Sequence, residues 1–248
     1  MKGGAAGMKF TLGMAGLAIG VEAAHSETEA YCRGYHTAGP PDFTVACTKE
    51  AMEREKKRSG WTADEAELER LAMQREIAER LPEYGCVLIR ATAVAVDGEG
   101  YVFAALSGRG KTTHADVYLE KFGKRAEMIN DGQPVLKITE DGLWVCGTPW
   151  RERRRQGSSA SVPVRGICFL RRGNTTSMIA LNREDGLMQL QSQCYRPEDP
   201  EAFRSTQKLL KEVTERCGLY LMTSYKASPE SAAMSYDGMT MTGMRMTG

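Results

Sequence analysis

The sequence predicts an α/β protein, a mixed sheet with flanking helices, and three features carry that expectation. Short runs of β-branched and aromatic residues recur between Gly-rich turns. Longer stretches with apolar residues at helical spacing lie between them. An Asp-Gly dipeptide between two such runs folds them back as a hairpin, so neighbouring strands are not all parallel. The 248 residues are expected to form an N-terminal α/β region over 1–80, a core over 81–237 and a disordered tail over 238–248.

In chain order, Phe10 to Val21 is apolar with Lys2 and Lys9 ahead of it, the outline of a secretory leader. Glycines at 13, 16 and 20 interrupt that run and favour an N-terminal strand or hairpin, and the run is too short for a membrane span. Pro40-Pro41 breaks the chain, Phe43 to Cys47 reads as a short strand, and the charged stretch Lys49 to Ser59 reads as surface helix and loop. Thr62-Ala-Asp-Glu65 has capping-box spacing and opens a helix to about Leu81, with Leu68, Leu71, Ala72 and Ile77 on its apolar face. Pro82 ends the helix, and Cys86 to Ile89 returns to strand.

The most informative stretch follows. Val94 to Ala105 reads as strand, Asp-Gly turn, strand, and delivers the chain into Leu106-Ser-Gly-Arg-Gly-Lys-Thr-Thr113, after which Thr112 to Lys121 reads as a helix. A strand, a Gly-rich loop and a helix in that order form a phosphate cradle. Backbone N–H groups and the helix N-terminus face the anion, a lysine reaches the β/γ oxygens and a hydroxyl ligates Mg²⁺. Ser107, Gly108, Arg109, Gly110, Lys111, Thr112 and Thr113 are the candidates for nucleotide contact, although Ala105 stands where the strict P-loop pattern has its first glycine. The plain alternative is a Gly/Ser turn with an incidental lysine. His114, next along, is expected to pack or hydrogen-bond rather than transfer protons.

Beyond that helix, Arg125 to Ile129 is expected as a strand ending at Asn130-Asp131, and Val135 to Ile138 with Leu143 to Val145 as a hairpin across Glu140-Asp-Gly142. An acidic residue at a strand end near a phosphate loop suits a metal contact, while Asn-Asp-Gly is also a good plain turn. Gly147-Thr-Pro-Trp150 leads into the arginine cluster 151–155. Such a cluster can clamp phosphate or an acidic peptide, or be a solvated charge run. Gly166 to Leu170 and Met178 to Leu181 read as strands joined across Arg171 to Asn174. Asn182 starts a helix, Asp199-Pro200 caps another through about Cys217, Leu219 to Met222 is a short strand, and Ser228-Pro229 caps the last helix.

The hairpin, the loop 106–113, Ile129-Asn-Asp-Gly-Gln-Pro134 and Gly147-Thr-Pro-Trp150 together resemble the HPr kinase and ATP-dependent phosphoenolpyruvate carboxykinase superfamily, and within it the small bacterial HPr-kinase-like proteins. The resemblance extends from about Leu81 to about Met239, with motifs in order and spacing. It implies a P-loop of HPr-kinase/carboxykinase type, with ATP and Mg²⁺ as cofactors. The implied reaction is transfer of the γ-phosphate to a hydroxyl, on a serine of a peptide or small protein. Lys111 and Asp131 would be catalytic, Thr112 and Asp131 would hold the metal, and Arg153 falls where relatives carry a lysine. The chain departs from the family at Arg90-Ala91, where relatives have His-Gly, at Gly132, where they have a second aspartate, and at Gln133, where they have lysine. Gly132 and Arg90 leave open a catalytically impaired nucleotide-binding sensor or scaffold, and a plain interaction domain is the third reading. The chain is far shorter than the carboxykinases.

Composition narrows the partners. A net charge of +1 argues against general nucleic-acid affinity, and 42% hydrophobic residues suffice for a core. Seven cysteines without a C-x-x-C pair read as reduced, buried thiols rather than zinc ligands or disulfides, which with an ATP site points to the cytoplasm. No membrane partner is expected, and self-association is left open. The Met-Thr-rich tail lacks His or Cys for soft-metal binding.

Overall fold

The apolar N-terminal run folds on itself. β1 (Met8–Met14) and β2 (Leu17–Ala23) form an antiparallel hairpin through Ala15-Gly16, both at positive φ, 52° and 68°, as a tight two-residue turn requires. The computed structural model describes residues 7–59, 64–105, 110–151 and 157–243. β3 (Phe43–Ala46) adds to β2 in parallel and completes a three-stranded sheet. α1 (Ser26–Cys32), α2 (Lys49–Ser59) and α3 (Glu65–Arg80) accompany it. The cap of α3 is Asp64, whose side chain accepts from the Glu67 N–H at 2.7 Å. Thr62, the expected capping residue, lies outside the described residues.

A nine-stranded mixed sheet makes up the rest. Its strands are β4 (Cys86–Leu88), β5 (Thr92–Val96), β6 (Glu99–Ala104), β7 (Ala126–Asn130), β8 (Val135–Thr139), β9 (Gly142–Cys146), β10 (Ser161–Arg172), β11 (Ser177–Ala180) and β12 (Gly218–Ser224). The order runs β4-β8-β9-β10-β6-β5-β7, with β12 on β10 and β11 beyond β12. β10 holds the sheet together because it is long enough to change partners. Its first residues pair with β9, and beyond a bulge at Val164 to Gly166 it runs parallel to both β6 and β12. The expected strands 166–170 and 178–181 are therefore not neighbours, since β12 inserts between them.

α4 (Lys111–Phe122) and α7 (Pro229–Gly243) pack together on a cluster that includes Phe103, Tyr118, Cys168 and Met239. α5 (Arg183–Gln193), capped by Asn182, and α6 (Pro200–Arg216), capped by Asp199, pack on a second cluster with Ile167, Val213 and Leu219. The segment expected to be disordered from 238 is helical as far as Gly243. Met239, on the inner face of α7, is fully buried, so a contact made across the fold supplies the anchor that the local sequence lacks. The core of the N-terminal sheet is continuous with Cys86, Leu88, Val135, Cys146 and Trp150. Among the described residues no helix is long and apolar enough to cross a membrane. All seven cysteines are free, and burial raises their thiol pKa values.

Candidate nucleotide and phosphoryl-transfer site

β6 and β7 flank β5 and are both antiparallel to it, so they run in the same direction and end at the same edge of the sheet. Ala93 of β5 pairs with Val102 on one side and with Asn130 on the other. Two strand spacings of about 4.8 Å then separate the end of β6 from the end of β7 by roughly 10 Å. The glycine loop leaves β6 at that edge and Asp131 follows β7 there, which brings the two widely spaced motifs to one place.

α4 begins at Lys111 behind Gly110, whose φ of 110° is open to glycine and strained for other residues. Among the described residues no side chain caps this N-terminus, and its first turn carries no acidic residue. Such a terminus presents N–H donors and the positive end of the helix dipole, which is what a phosphate needs. Lys111 is 1% exposed, Thr112 half-buried, and Gly110 and Thr113 exposed. Ser107, Gly108, Arg109 and Arg153 lie outside the described residues.

His114 turns into the protein. Its Nε2 lies 3.0 Å from the Ser235 hydroxyl, its ring meets the edge of Phe103 at 4.7 Å, and burial lowers its pKa to about 4, so it is neutral at ordinary pH. The Tyr118 hydroxyl joins the same Ser235 at 2.8 Å. His114 thus packs and hydrogen-bonds, in contacts that tie α4 to α7.

Asp131 is fully buried on a turn fixed from several sides. The Asn130 Nδ2 donates to the carbonyl oxygen of Thr148 (2.9 Å) and to its Oγ1 (3.1 Å), and its Oδ1 accepts from the Gly132 N–H (2.8 Å). Thr148 Oγ1 in turn donates to the Gln133 carbonyl at 2.7 Å. The Ala91 N–H donates to the Gly132 carbonyl and the Gln133 N–H to the Trp150 carbonyl. Asn-Asp-Gly-Gln and Gly-Thr-Pro-Trp, separate motifs in the sequence, therefore form one hydrogen-bonded unit. Gly147 permits the approach, because a Cβ there would lie 1.7 Å from the Ser158 carbonyl oxygen. Arg90 is exposed.

The N-terminal region reaches the same unit, which sequence reasoning missed. Gln74 of α3 donates from Nε2 to Gln133 Oε1 at 2.7 Å, and the Tyr35 hydroxyl donates to the Ser158 carbonyl at 3.0 Å. Nothing in the local pattern around Gln74 or Tyr35 marks them, since each is an ordinary helix residue until the sheets pack.

Among the described residues no group of three or more His, Cys, Asp or Glu side chains gathers to hold a metal. Among the described residues, Asp131 and Thr112 are the sequence-expected oxygen donors for a cation. That set suits a cation held mainly through substrate phosphates and water, the usual habit of Mg²⁺. No protein-family model matches the chain, and no curated protein matches it.

Proposed function

We propose that the chain is an ATP-dependent, kinase-like protein that transfers the γ-phosphate of ATP to a hydroxyl, on a serine of a peptide or small protein. One observation carries the reading. A buried lysine opens a glycine-led helix at the same sheet edge as a buried, rigidly held aspartate. The motif resemblance to the HPr kinase superfamily supports it.

In this reading the glycine run through Gly110 wraps the phosphates and Lys111 contacts the β/γ oxygens. Thr112 and Asp131 hold Mg²⁺, which when bound offsets charge on the phosphate oxygens. Asp131 also orients the acceptor hydroxyl. Its oxygen forms the new bond to the γ-phosphorus, its proton passes to the Asp131 carboxylate, and the bond to the β–γ bridging oxygen breaks to release ADP. Arg153 contacts the phosphate or the acceptor.

A second reading, a nucleotide-binding sensor with impaired catalysis, is favoured by Gly132, which leaves Asp131 to serve both metal and proton. Titration with Mg·ATP tests the common part. Lys111→Ala is expected to weaken binding by about 1.5–3 kcal/mol, the range of a charge-assisted contact, and equal affinity would remove both readings. ATP turnover with serine peptides separates them. An active wild type removes the sensor, whereas an inactive wild type rescued by Gly132→Asp supports it. Gly132 is not among the glycines at positive φ, so its backbone accepts the aspartate. Asp131→Asn should abolish Mg²⁺ enhancement and spare metal-free ADP binding.

A further inference from the structure

The nine-stranded sheet branches at β10 and so has three outer strands, β4, β7 and β11. Two of them are closed by backbone bonds from outside the sheet. The Tyr195 N–H donates to the Leu88 carbonyl of β4 at 2.8 Å, and the Ser158 N–H to the Ile129 carbonyl of β7 at 3.0 Å. Among the described residues β11 receives no such bond. Ser177, Ile179 and Ala180 are exposed, Ile179 by 56%. The strand also lacks what commonly protects an edge. Ser177-Met178-Ile179-Ala180 contains no charge and no proline, and it pairs with β12 without a bulge.

The free backbone groups follow from the register. Ala180 stands opposite Tyr220, and one residue on the Leu181 N–H donates to the Leu219 carbonyl at 2.8 Å. In an antiparallel ladder the bonded residues alternate, so Ser177 and Ile179 turn their backbone groups to β12, and Met178 and Ala180 turn theirs outward. The Met178 side chain lies against Gly238 of α7, where an added Cβ would come within 2.8 Å of its sulfur. The strand is thereby held from one face while its edge stays open.

Charge selects what can pair there. β10 runs on past Phe169, the partner of Ala104 at the end of β6, and ends in Arg171 and Arg172. Arg171, Thr223 and Ser177 form one row across the three strands, so the arginines stand at the first residue of β11. Both are exposed, as is Lys226 just beyond β12. Arg171 donates to Thr223 Oγ1 at 3.1 Å, and Arg172 lies over the Tyr225 ring, 5.6 Å from its centroid. Residues 171–177 and 223–227 contain no acidic residue, and among the described residues none of the three cations forms an ion pair. At the other end of β11 the charge is balanced, with Arg183 facing Glu215 at 3.6 Å.

We propose that β11 takes up an extended acidic segment of a partner protein. The segment adds to the sheet as an antiparallel strand, bonds Met178 and Ala180 through its backbone, and places its acidic residues on Arg171 and Arg172. Backbone bonds supply the pairing, and the arginines set register and choice of partner. The inference does not depend on the kinase reading.

The probes are a Thr/Val-alternating octapeptide ending in two glutamates and the same peptide ending in two glutamines, each titrated into the intact protein. In antiparallel addition the C-terminal residues of the peptide meet the Ser177 end of β11. The glutamate peptide should bind at least tenfold tighter, an advantage that fades as salt is raised. Arg171→Gln combined with Arg172→Gln should remove the advantage and leave the thermal midpoint unchanged. Ala180→Pro removes an outward N–H without touching the bonds to β12, and should weaken the glutamate peptide at least tenfold. If the proline variant does not fold, the arginine variant and the glutamine peptide carry the test. No binding of the glutamate peptide to wild type, equal affinity for the two peptides, or equal affinity in wild type and folded Ala180→Pro would overturn the proposal. So would concentration-dependent dimerisation that Ala180→Pro abolishes, since the edge would then belong to a second copy of this chain.

Discussion

At Asp97-Gly98 the chain reverses in open solvent, through φ of 52° and 82°, and joins β5 to β6. At Asp131-Gly132 it reverses in the interior, where the Asn130 side chain ties the Gly132 N–H to Thr148 and the Thr148 hydroxyl bonds the Gln133 carbonyl. Both read as turns from the same Asp-Gly dipeptide, but Asp97 and Gly98 turn at positive φ and neither Asp131 nor Gly132 does. The first is an exposed hairpin turn whose carboxylate faces the Arg125 guanidinium at the surface. The second withdraws its carboxylate from water. Position relative to the sheet separates a connector from a site, and each can be probed by removing what holds it.

The largest effect belongs to the close approach behind the buried turn. Gly147→Ala would set a methyl group 1.7 Å from the Ser158 carbonyl oxygen and 2.9 Å from that of Ile129, both backbone atoms. A loss on the order of 4 kcal/mol, or failure to fold, is expected in urea denaturation. A variant of wild-type stability would mean that the 147–150 segment does not pack on the turn as described.

Acid sensitivity comes next, from the helix at the same edge. His114 has a folded pKa near 4 against an ordinary 6.5. Between those values the unfolded chain takes up the proton first. The stability due to the neutral ring is therefore complete above pH 6.5 and falls as pH drops towards 4, by about 3 kcal/mol in all. Denaturation midpoints of wild type and His114→Asn, compared from pH 7.5 to 4.5, should converge as the pH falls. Parallel curves would place the ring in water.

Asn130→Ala removes three hydrogen bonds and leaves the Thr148 carbonyl and the Gly132 N–H buried without that partner. About 2–3 kcal/mol should be lost. The variant should also lose Mg²⁺-dependent nucleotide affinity more than metal-free affinity, because the carboxylate beside it is no longer fixed. An equal loss of both would reduce Asn130 to a stability residue.

The exposed turn should yield least. Gly98→Ala meets no atom within 4 Å, and its only penalty is the positive φ, about 1 kcal/mol by thermal melting. Asp97→Asn keeps a residue suited to positive φ and loses only a surface ion pair, so its melting curve should superimpose on wild type. A marked shift there would erase the contrast between the two turns.

The regular elements were legible because their causes are local. Caps such as Asn182 and Asp199 and the Asp-Gly hairpin each act within a few residues. The glycine-led start of α4 belongs with them. The expectation for α7 stopped short because what continues it is Met239 buried against the sheet, a partner that the Met-Thr repeat does not announce. In the same way the strand order around β10 follows from packing, since only the assembled sheet decides that β12 takes the place beside it.

By itself the sequence determined which residues turn, cap and alternate, and it singled out Lys111 and Asp131 as the pair to watch. Tertiary structure alone decided that both are buried at one edge, that Thr148 and Asn130 lock the aspartate's turn, and that Gln74 and Tyr35 reach the unit around it from the N-terminal region. The reason is physical. Turn and cap propensities are set by bonded neighbours, whereas burial and side-chain partnership arise only when segments more than 100 residues apart, such as Tyr35 and Ser158, are brought together by the collapse of a shared apolar core.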